Sequence, residues 1–481
     1  MAPTTRLLPA VLGLAAAAAA QITPGNLVVL RIGTGASALT NAGTQVFLDE
    51  YTAAGAFVQT VPMPTLLNGA QQPFVCSGTA TSEGGLTQSV DGRYLVAMGY
   101  GAAPGTASIA GTASASVPRV CARIALDETI DTTTALADAY SGNNARGACS
   151  WFGGEFWTAG NATTGNGPSA RHVPVIGSAT SVQLSIATTN VRRVDIFAGQ
   201  LYCTSAAGGL FGVGTVGAGT PTTGGQTVSP LPGMPLATGP SPYDFFFADA
   251  ATVYVADDRT TSGGGIQKWT ATGGVWNLQY VFTPGVGVGC RGLSGYVDNG
   301  VATLFATTTT NGIVKVVDTG AAATVTPLAI GAANTALRGI RWIRTPASVV
   351  NSGAGCGTTV GTPLLTTNGA PLAGNAGFEL SAYNTPPNAL ALFSVKLGDV
   401  LPVGLPVPGT PPCVQAYVLP DALAAVLADP FGAAVQPLPI PAGVALGGTR
   451  VAVQAFVLDF GLTGFALPLG QTDAMQLVVG N

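Results

Sequence analysis

Charged side chains are scarce in this 481-residue chain. Its 18 Lys and Arg and 22 Asp and Glu make up 8% of the residues, whereas soluble domains usually hold about 25%. The net charge of −4 provides no broad basic surface, so no nucleic-acid partner is predicted. Helices usually carry Glu, Lys and Arg on their exposed faces, so this scarcity also disfavours a helical fold.

Histidine occurs once, as His172. A Ser-His-Asp triad would depend on this residue, and no Gly-x-Ser-x-Gly turn is present to hold the nucleophile. A metal site with several histidine ligands is excluded within one chain. The sequence around His172 is typical of a middle or outer strand, so a structural role is favoured over that of a general base.

Long apolar runs are missing beyond the N-terminus. Residues 1–20 have the pattern of a signal peptide, with Arg6 before an apolar run and the small residues 18–20 at its end. A membrane anchor is the alternative, which the shortness of the run disfavours. No transmembrane segment is predicted after signal cleavage, and the expected location is outside the cell, in the periplasm or on the cell surface.

The residues that are abundant favour short strands and tight turns. The chain contains 67 Gly and 34 Pro within a composition that is 47% hydrophobic, and a disordered chain would be far less apolar. A two-strand pattern recurs about every 45–50 residues, which is the period of propeller blades. Its copies begin at residues 144–152, 191–197, 242–247 and 290–296.

The two ends of the repeat region complement each other. Three strands between residues 26 and 61 lack an inner strand, and residues 337–343 have the inner-strand pattern with no blade after them. Pairing these segments would close the ring and remove exposed sheet edges. The count gives six blades, or seven if residues 74–82 hide a further strand pair. The turns Asp91-Gly92 and Asn299-Gly300 predict type I′ hairpins.

The pattern changes after the repeats. The sequence predicts an all-β protein with a β-propeller over residues 21–345, a linker over residues 346–360 and a C-terminal β-sandwich over residues 361–481. Among seven cysteines, Cys356 and Cys413 are expected to form a disulfide within the C-terminal region. None of the cysteines forms a C-x-x-C pair, and buried apolar roles are predicted for Cys149 and Cys203.

Four short motifs carry a resemblance. They are residues 91–96 (DGRYLV), 138–144 (DAYSGNN), 315–320 (KVVDTG) and 438–441 (LPIP). With them the chain resembles a group of uncharacterised secreted bacterial β-propeller proteins with a C-terminal β-sandwich domain. The resemblance spans most of the chain after the signal peptide. It implies that the protein is exported and that it has the fold of this group, a β-propeller followed by a β-sandwich. It implies no activity, because the motifs mark turns and strands.

Arginine recurs at the start of the predicted inner strands, which line the central channel. The candidate ligand-binding residues there are Arg146, Arg192, Arg291 and Arg338, together with Asp195 and Asp244. Guanidinium groups around one opening would attract a carboxylate or phosphate. The structural alternative is that these arginines donate to carbonyl groups and to the two aspartates, and so tie neighbouring blades together.

Metal binding and catalysis have weak support in the sequence. The residues identify no cofactor, and calcium is the ion that Asp257-Asp258 would suit, with a solvated turn as the alternative.

The leading hypothesis is an exported, non-enzymatic binding or scaffold protein with a propeller interaction surface and a β-sandwich attachment module. Its partner would be a protein, a glycan or a small anionic ligand. The competing hypothesis is a metal-assisted lactonase or a lyase acting in the channel.

Overall fold

The computed structural model describes residues 21–162 and 169–481. The predicted signal peptide lies outside these residues. The described chain forms 35 β-strands and two short 3₁₀ turns, Ile109–Gly111 and Val444–Leu446, and contains no α-helix. No helix in the described ranges has the length and apolar character needed to cross a bilayer.

Strands β1 to β24 supply almost all of the propeller. The first eight are β1 (Leu27–Ile32), β2 (Gly43–Tyr51), β3 (Phe57–Pro62), β4 (Val75–Ser77), β5 (Leu86–Gln88), β6 (Tyr94–Tyr100), β7 (Arg119–Ala125) and β8 (Ile130–Leu136). The next eight are β9 (Ala145–Cys149), β10 (Phe156–Gly160), β11 (Arg171–Val173), β12 (Val182–Gln183), β13 (Val191–Phe197), β14 (Gln200–Ser205), β15 (Val213–Val216) and β16 (Val228–Pro230). The last eight are β17 (Pro242–Asp249), β18 (Thr252–Asp257), β19 (Gly265–Thr272), β20 (Val275–Phe282), β21 (Cys290–Asp298), β22 (Val301–Thr308), β23 (Gly312–Val317) and β24 (Thr326–Ile330).

The remaining strands complete the ring and build the C-terminal domain. They are β25 (Ala336–Trp342), β26 (Ser348–Ser352), β27 (Leu364–Thr367), β28 (Glu379–Tyr383), β29 (Leu390–Leu397), β30 (Leu405–Pro406), β31 (Gln415–Ala416), β32 (Ala422–Leu427), β33 (Ala434–Pro437), β34 (Arg450–Leu458) and β35 (Leu469–Val478). Residues 422–427 form strand β32, which pairs with β29.

Six antiparallel blades form the propeller. Blade 1 is β25-β1-β2-β3, blade 2 is β5-β6-β7-β8, and blades 3 to 6 are the four-stranded sheets β9–β12, β13–β16, β17–β20 and β21–β24. The six inner strands, β25, β5, β9, β13, β17 and β21, contact one another in a closed ring. Pairing of β25 with β1 confirms the predicted clasp.

A seventh blade is not formed by residues 74–82. This segment holds the single strand β4, which pairs with β2 of blade 1 and with Tyr100 of blade 2.

Of the two predicted hairpins, Asn299-Gly300 has positive φ at both residues, 48° and 79°, as a type I′ turn requires. At Asp91-Gly92 only the glycine has positive φ. The Asp91 carboxylate accepts hydrogen bonds from Ser89 Oγ at 2.6 Å and from the backbone N–H of Arg93, and these bonds favour a different turn.

The C-terminal domain is a β-sandwich. Its five-stranded sheet has the order β26-β35-β34-β29-β32, and its second sheet has the order β27-β28-β33. Buried side chains of both sheets, among them Phe378, Leu380, Phe393 and Leu477, form one hydrophobic core. The segment predicted as a linker contains β26, which pairs with β35 along its whole length. The expected disulfide Cys356–Cys413 is present.

The sandwich attaches where the inner strands end. The backbone of Thr345 exchanges hydrogen bonds with Asn481, the last residue of the chain, and the N–H of Ala347 donates to the carbonyl of Asp91. The 3₁₀ turn Val444–Leu446 contacts β21. All inner strands of a propeller run in the same direction, so their beginnings face away from the sandwich.

Candidate functional site

The inner strands bring two successive positions of every blade to the start of the channel. At the first position blades 1, 3, 4 and 6 carry the predicted arginines, Arg338, Arg146, Arg192 and Arg291. At the second position four blades carry glycine, namely Gly85, Gly147, Gly292 and Gly339. A Cβ at Gly339 would lie 2.5 Å from the backbone N of Leu86, and one at Gly292 2.5 Å from the carbonyl O of Arg338. Glycine therefore allows neighbouring inner strands to touch.

The other two blades place charged residues at the second position. Arg193 of blade 4 and Asp244 of blade 5 are both about 1% exposed, and Arg193 Nε lies 4.0 Å from Asp244 Oδ2. The guanidinium of Arg193 also donates to the carbonyl groups of Ser82 and Arg146 at 3.0 and 3.3 Å. Its side chain fills the space that the glycines of blades 2 and 3 leave open. The axis is thus occupied by a side chain.

Two residues further along the strands, an ion pair crosses the channel. Arg341 Nη2 of blade 1 lies 2.6 Å from Asp195 Oδ2 of blade 4, on the opposite side of the ring. Arg341 also donates from Nε to the carbonyl of Leu86 at 3.0 Å. Burial raises the pKa of Asp244, and Arg341 and Arg193 oppose this effect. The two predicted channel aspartates are therefore both engaged by arginine.

A loop between β4 and β5 lies across the starting end of the channel and covers part of it. The carbonyl of Gly78 accepts from Arg338 at 3.3 Å, and Thr81 Oγ1 lies 3.1 Å from the hydroxyl of Tyr243 in blade 5. The buried Glu83 anchors this loop, because its carboxylate accepts from Ser77 N, Tyr100 Oη and Asn144 Nδ2 at 2.6–2.7 Å. Burial raises the pKa of Glu83.

We call the four predicted arginines the arginine cluster. Arg146 donates to Asn190 Oδ1 at 2.5 Å, Arg192 to the carbonyl of Pro242 at 2.9 Å, and both contacts reach the next blade. Arg291 lies 3.4 Å from Asp258. The guanidinium of Arg192 stacks 4.2 Å from the ring centroid of Tyr243, and that of Arg291 lies 5.8 Å from it. Two members of the cluster therefore lie against one tyrosine ring.

The cluster holds more positive charge than its surroundings offset. Within the described residues, no carboxylate lies at ion-pair distance from Arg146, Arg192 or Arg338. The Nε atoms of these same three residues are buried and have no hydrogen-bond partner there. Burial, followed by repulsion from Arg192, lowers the pKa of Arg146 to about 10. Burial, followed by repulsion from Arg291, lowers the pKa of Arg338 to about 10.

Other residues considered from the sequence lie elsewhere. His172 is on β11, the third strand of blade 3, where Nε2 lies 3.0 Å from Glu155 Oε2 and the ring packs on Trp157. Asp257 pairs with Arg259 at 2.8 Å. Cys149 and Cys203 are buried thiols, as predicted. In the described part of the chain, no group of three or more His, Cys, Asp or Glu could hold a metal ion.

Three important residues were not singled out from the sequence: Arg193, Arg341 and Glu83. The sequence holds a usable signal for Arg193. Arg146, Arg291 and Arg338 are each followed by glycine, and alignment on this Arg-Gly pair marks the residue after Arg192 as an exception. Glu83 had none, because its burial depends on a loop that crosses from blade 2 toward blade 5.

Neither a protein-family model nor a curated protein matches the sequence. Solved structures give weak likenesses. The periplasmic gluconolactonase PpgL of Pseudomonas aeruginosa is 13% identical with a TM-score of 0.39, over 86% of this chain and 100% of that one. The GH74 enzyme of Niastella koreensis is 10% identical with a TM-score of 0.38, over 93% and 73% of the two chains. Apo AztD from Citrobacter koseri is 9% identical with a TM-score of 0.28, over 94% and 99%. At these TM-scores they support no argument about substrate or chemistry, and the propeller assignment rests on the blades themselves.

Proposed function

We propose that this is an exported, non-enzymatic binding protein whose propeller takes an anionic group at the arginine cluster, with the β-sandwich as its attachment module. The observation that carries the proposal is the set of buried, unpartnered guanidinium N–H groups of Arg146, Arg192 and Arg338. Buried donors are nearly always hydrogen-bonded, and exceptions call for a missing partner. A bound oxyanion would supply both the acceptors and the negative charge.

The geometry of the cluster suits a small oxyanion or an anionic group on a glycan. Arginine binds carboxylate, sulfate and phosphate oxygens through its planar fork. Arg192 and Arg291 are half-buried, so the cluster can be reached from the end of the channel that faces away from the sandwich. A disulfide is typical of exported proteins, and Cys356–Cys413 supports export here.

A reaction inside the channel has less support than binding at its end. A lactonase or lyase would need Asp195 or Asp244 as a base or as a metal ligand. Asp195 is held by Arg341 at 2.6 Å, and Asp244 accepts backbone N–H groups of Phe245 and Leu293 while it faces Arg193. The side chains that cross the axis also leave little room there for a substrate.

The proposal predicts an anion-dependent rise in melting temperature. Wild-type protein is melted in sodium sulfate and in sodium chloride at equal ionic strength, alongside Arg146→Gln. A ligand at about 100 times its Kd raises the free energy of unfolding by about 2.7 kcal/mol. In a domain of this size, that gain raises the melting temperature by about 5 °C. We expect the sulfate-specific rise in the wild type and its loss in the variant.

Sulfate also stabilises proteins nonspecifically, so the comparison needs a matched variant. Arg450→Gln removes one arginine from the exposed ion pair with Asp399 in the sandwich and should keep the full sulfate effect. Without sulfate, Arg146→Gln should melt at or above the wild-type temperature, because it removes a buried charge that no carboxylate pairs with. An equal sulfate effect in all three proteins would contradict binding at the cluster.

A further inference from the structure

A second candidate site lies at the opposite end of the channel. A partly open cavity of about 200 Å³ is formed where the inner strands end, beside the chain that leaves for the sandwich. Its lining includes the last residues of β5, β13 and β25, and the crossing pair Arg341–Asp195 lies on its inner side. An apolar cavity of about 150 Å³ accommodates benzene, so this one has room for a six-membered ring with one small substituent.

One wall of the cavity is aromatic. We call Phe197 and Phe247 the aromatic wall, and Trp342 of blade 1 lines the cavity as well. The rings of Phe197 and Phe247 are stacked, with centroids 4.8 Å apart and planes 12° apart, and Trp342 packs on Tyr296 at 4.6 Å. Neighbouring rings hold this wall in place, so it presents a preformed surface to a planar ligand.

The cavity also carries positive charge with free donors. Arg344 donates from Nη2 to the carbonyl groups of Ser89 and Gln88 at 2.8 and 3.4 Å, and its nearest partners are thus neutral. Among the described residues, its Nε and Nη1 have no partner, and neither does Nη1 of Arg341. With Asp195 the only carboxylate in the lining, the two arginines leave one net positive charge.

Most polar side chains that line the cavity already form hydrogen bonds within the protein. Gln88 donates to the carbonyl groups of Gly92 and Arg344 and accepts from the backbone N–H of Arg344. Ser294 Oγ accepts from the backbone N–H of Trp342, and Asp195 accepts from Arg341 and from Ile196. The cavity therefore offers few partners to the hydroxyl groups of a sugar.

We propose that this cavity binds a small aromatic monocarboxylate, with its ring on the aromatic wall and its carboxylate on Arg344 and Arg341. Arginine and carboxylate form strong, charge-assisted hydrogen bonds. The proposal does not depend on the arginine cluster, which lies at the other end of the inner strands. A change at Arg146 should consequently leave this binding unaltered.

Calorimetric titration with benzoate tests the site, with benzamide as the neutral analogue and glucuronate as a sugar acid. We expect benzoate to bind wild-type protein and benzamide to bind at least tenfold more weakly. Arg344→Gln should weaken benzoate about tenfold or more, as expected for the loss of a charged hydrogen bond. Arg450→Gln, which changes the same charge in the sandwich, should bind benzoate like the wild type.

A second variant keeps the test independent of folding defects at Arg344. Phe197→Leu retains both arginines and should weaken benzoate while leaving the preference for benzoate over benzamide intact. The proposal would be overturned if wild-type protein did not bind benzoate, or if Arg344→Gln bound benzoate as tightly as the wild type. Glucuronate binding more tightly than benzoate would also overturn it, since the ligand would then be a sugar acid.

Discussion

Asp244→Ala should destabilise the propeller by about 3–5 kcal/mol, the usual cost of removing one partner from a buried ion pair. Asp244 is 1% exposed, and its carboxylate accepts the backbone N–H groups of Phe245 and Leu293 at 2.9 and 3.2 Å. Its removal leaves Arg193, also 1% exposed, without a carboxylate on the channel axis. Urea denaturation followed by tryptophan fluorescence measures the change, since all five tryptophans lie in the propeller, four of them on strands of blades 1, 3 and 5.

Two further variants separate the ion pair from general effects of mutation. Asp399→Ala breaks the pair with Arg450, whose side chains are 65% and 54% exposed, and should change stability by less than about 1 kcal/mol. The double variant Arg193→Met/Asp244→Leu should recover most of the loss. Burial raises the pKa of Asp244, so the arginines do not fully offset its desolvation, and apolar replacement of a buried pair is often neutral. A loss below about 1 kcal/mol in Asp244→Ala would mean that the channel does not need this pair.

The fold was largely predictable because its signals are local and repeated. Each blade repeats a short apolar strand and a glycine or asparagine turn, as at Asn299-Gly300, and the unmatched inner strand at 337–343 indicates how the ring closes. The seven-blade alternative could not be excluded from the sequence. Residues 75–77 have the composition of a strand, and only the tertiary structure shows that β4 joins two blades instead of starting another.

The candidate site was predictable at one end of the channel only. Arginines at the same strand position mark the cluster, since a repeating fold places equivalent positions around one axis. The cavity at the other end depends on residues that differ between blades, such as Phe197, Gln88 and Trp342. Their proximity follows from strand lengths and from the twist of each blade, which a sequence pattern does not specify.

Replacement of both disulfide cysteines, Cys356→Ser/Cys413→Ser, should destabilise the sandwich by about 4 kcal/mol. The bridge joins residues 57 apart. In the chain-entropy account, closing a loop of this size lowers the conformational entropy of the unfolded chain, which stabilises the folded state by about 4 kcal/mol. Between β29 and β32 the chain has only the two-residue strands β30 and β31. Cys413 ties this proline-rich segment to Cys356, which exchanges two backbone hydrogen bonds of 2.9 Å with Gln471.

Scanning calorimetry with limited proteolysis can locate this loss within the molecule. The variant should unfold its sandwich at a lower temperature and be cleaved first between residues 398 and 421, while the propeller transition stays near that of the wild type. Cys149→Ala/Cys203→Ala is the matched control for thiol removal, since these cysteines are buried and unpaired, and it should instead lower the propeller transition. If the double serine variant lowered both transitions together, the two domains would unfold as one unit. The hydrogen bonds between Thr345 and Asn481 would then couple the sandwich to the propeller, and a reducing environment would weaken both domains.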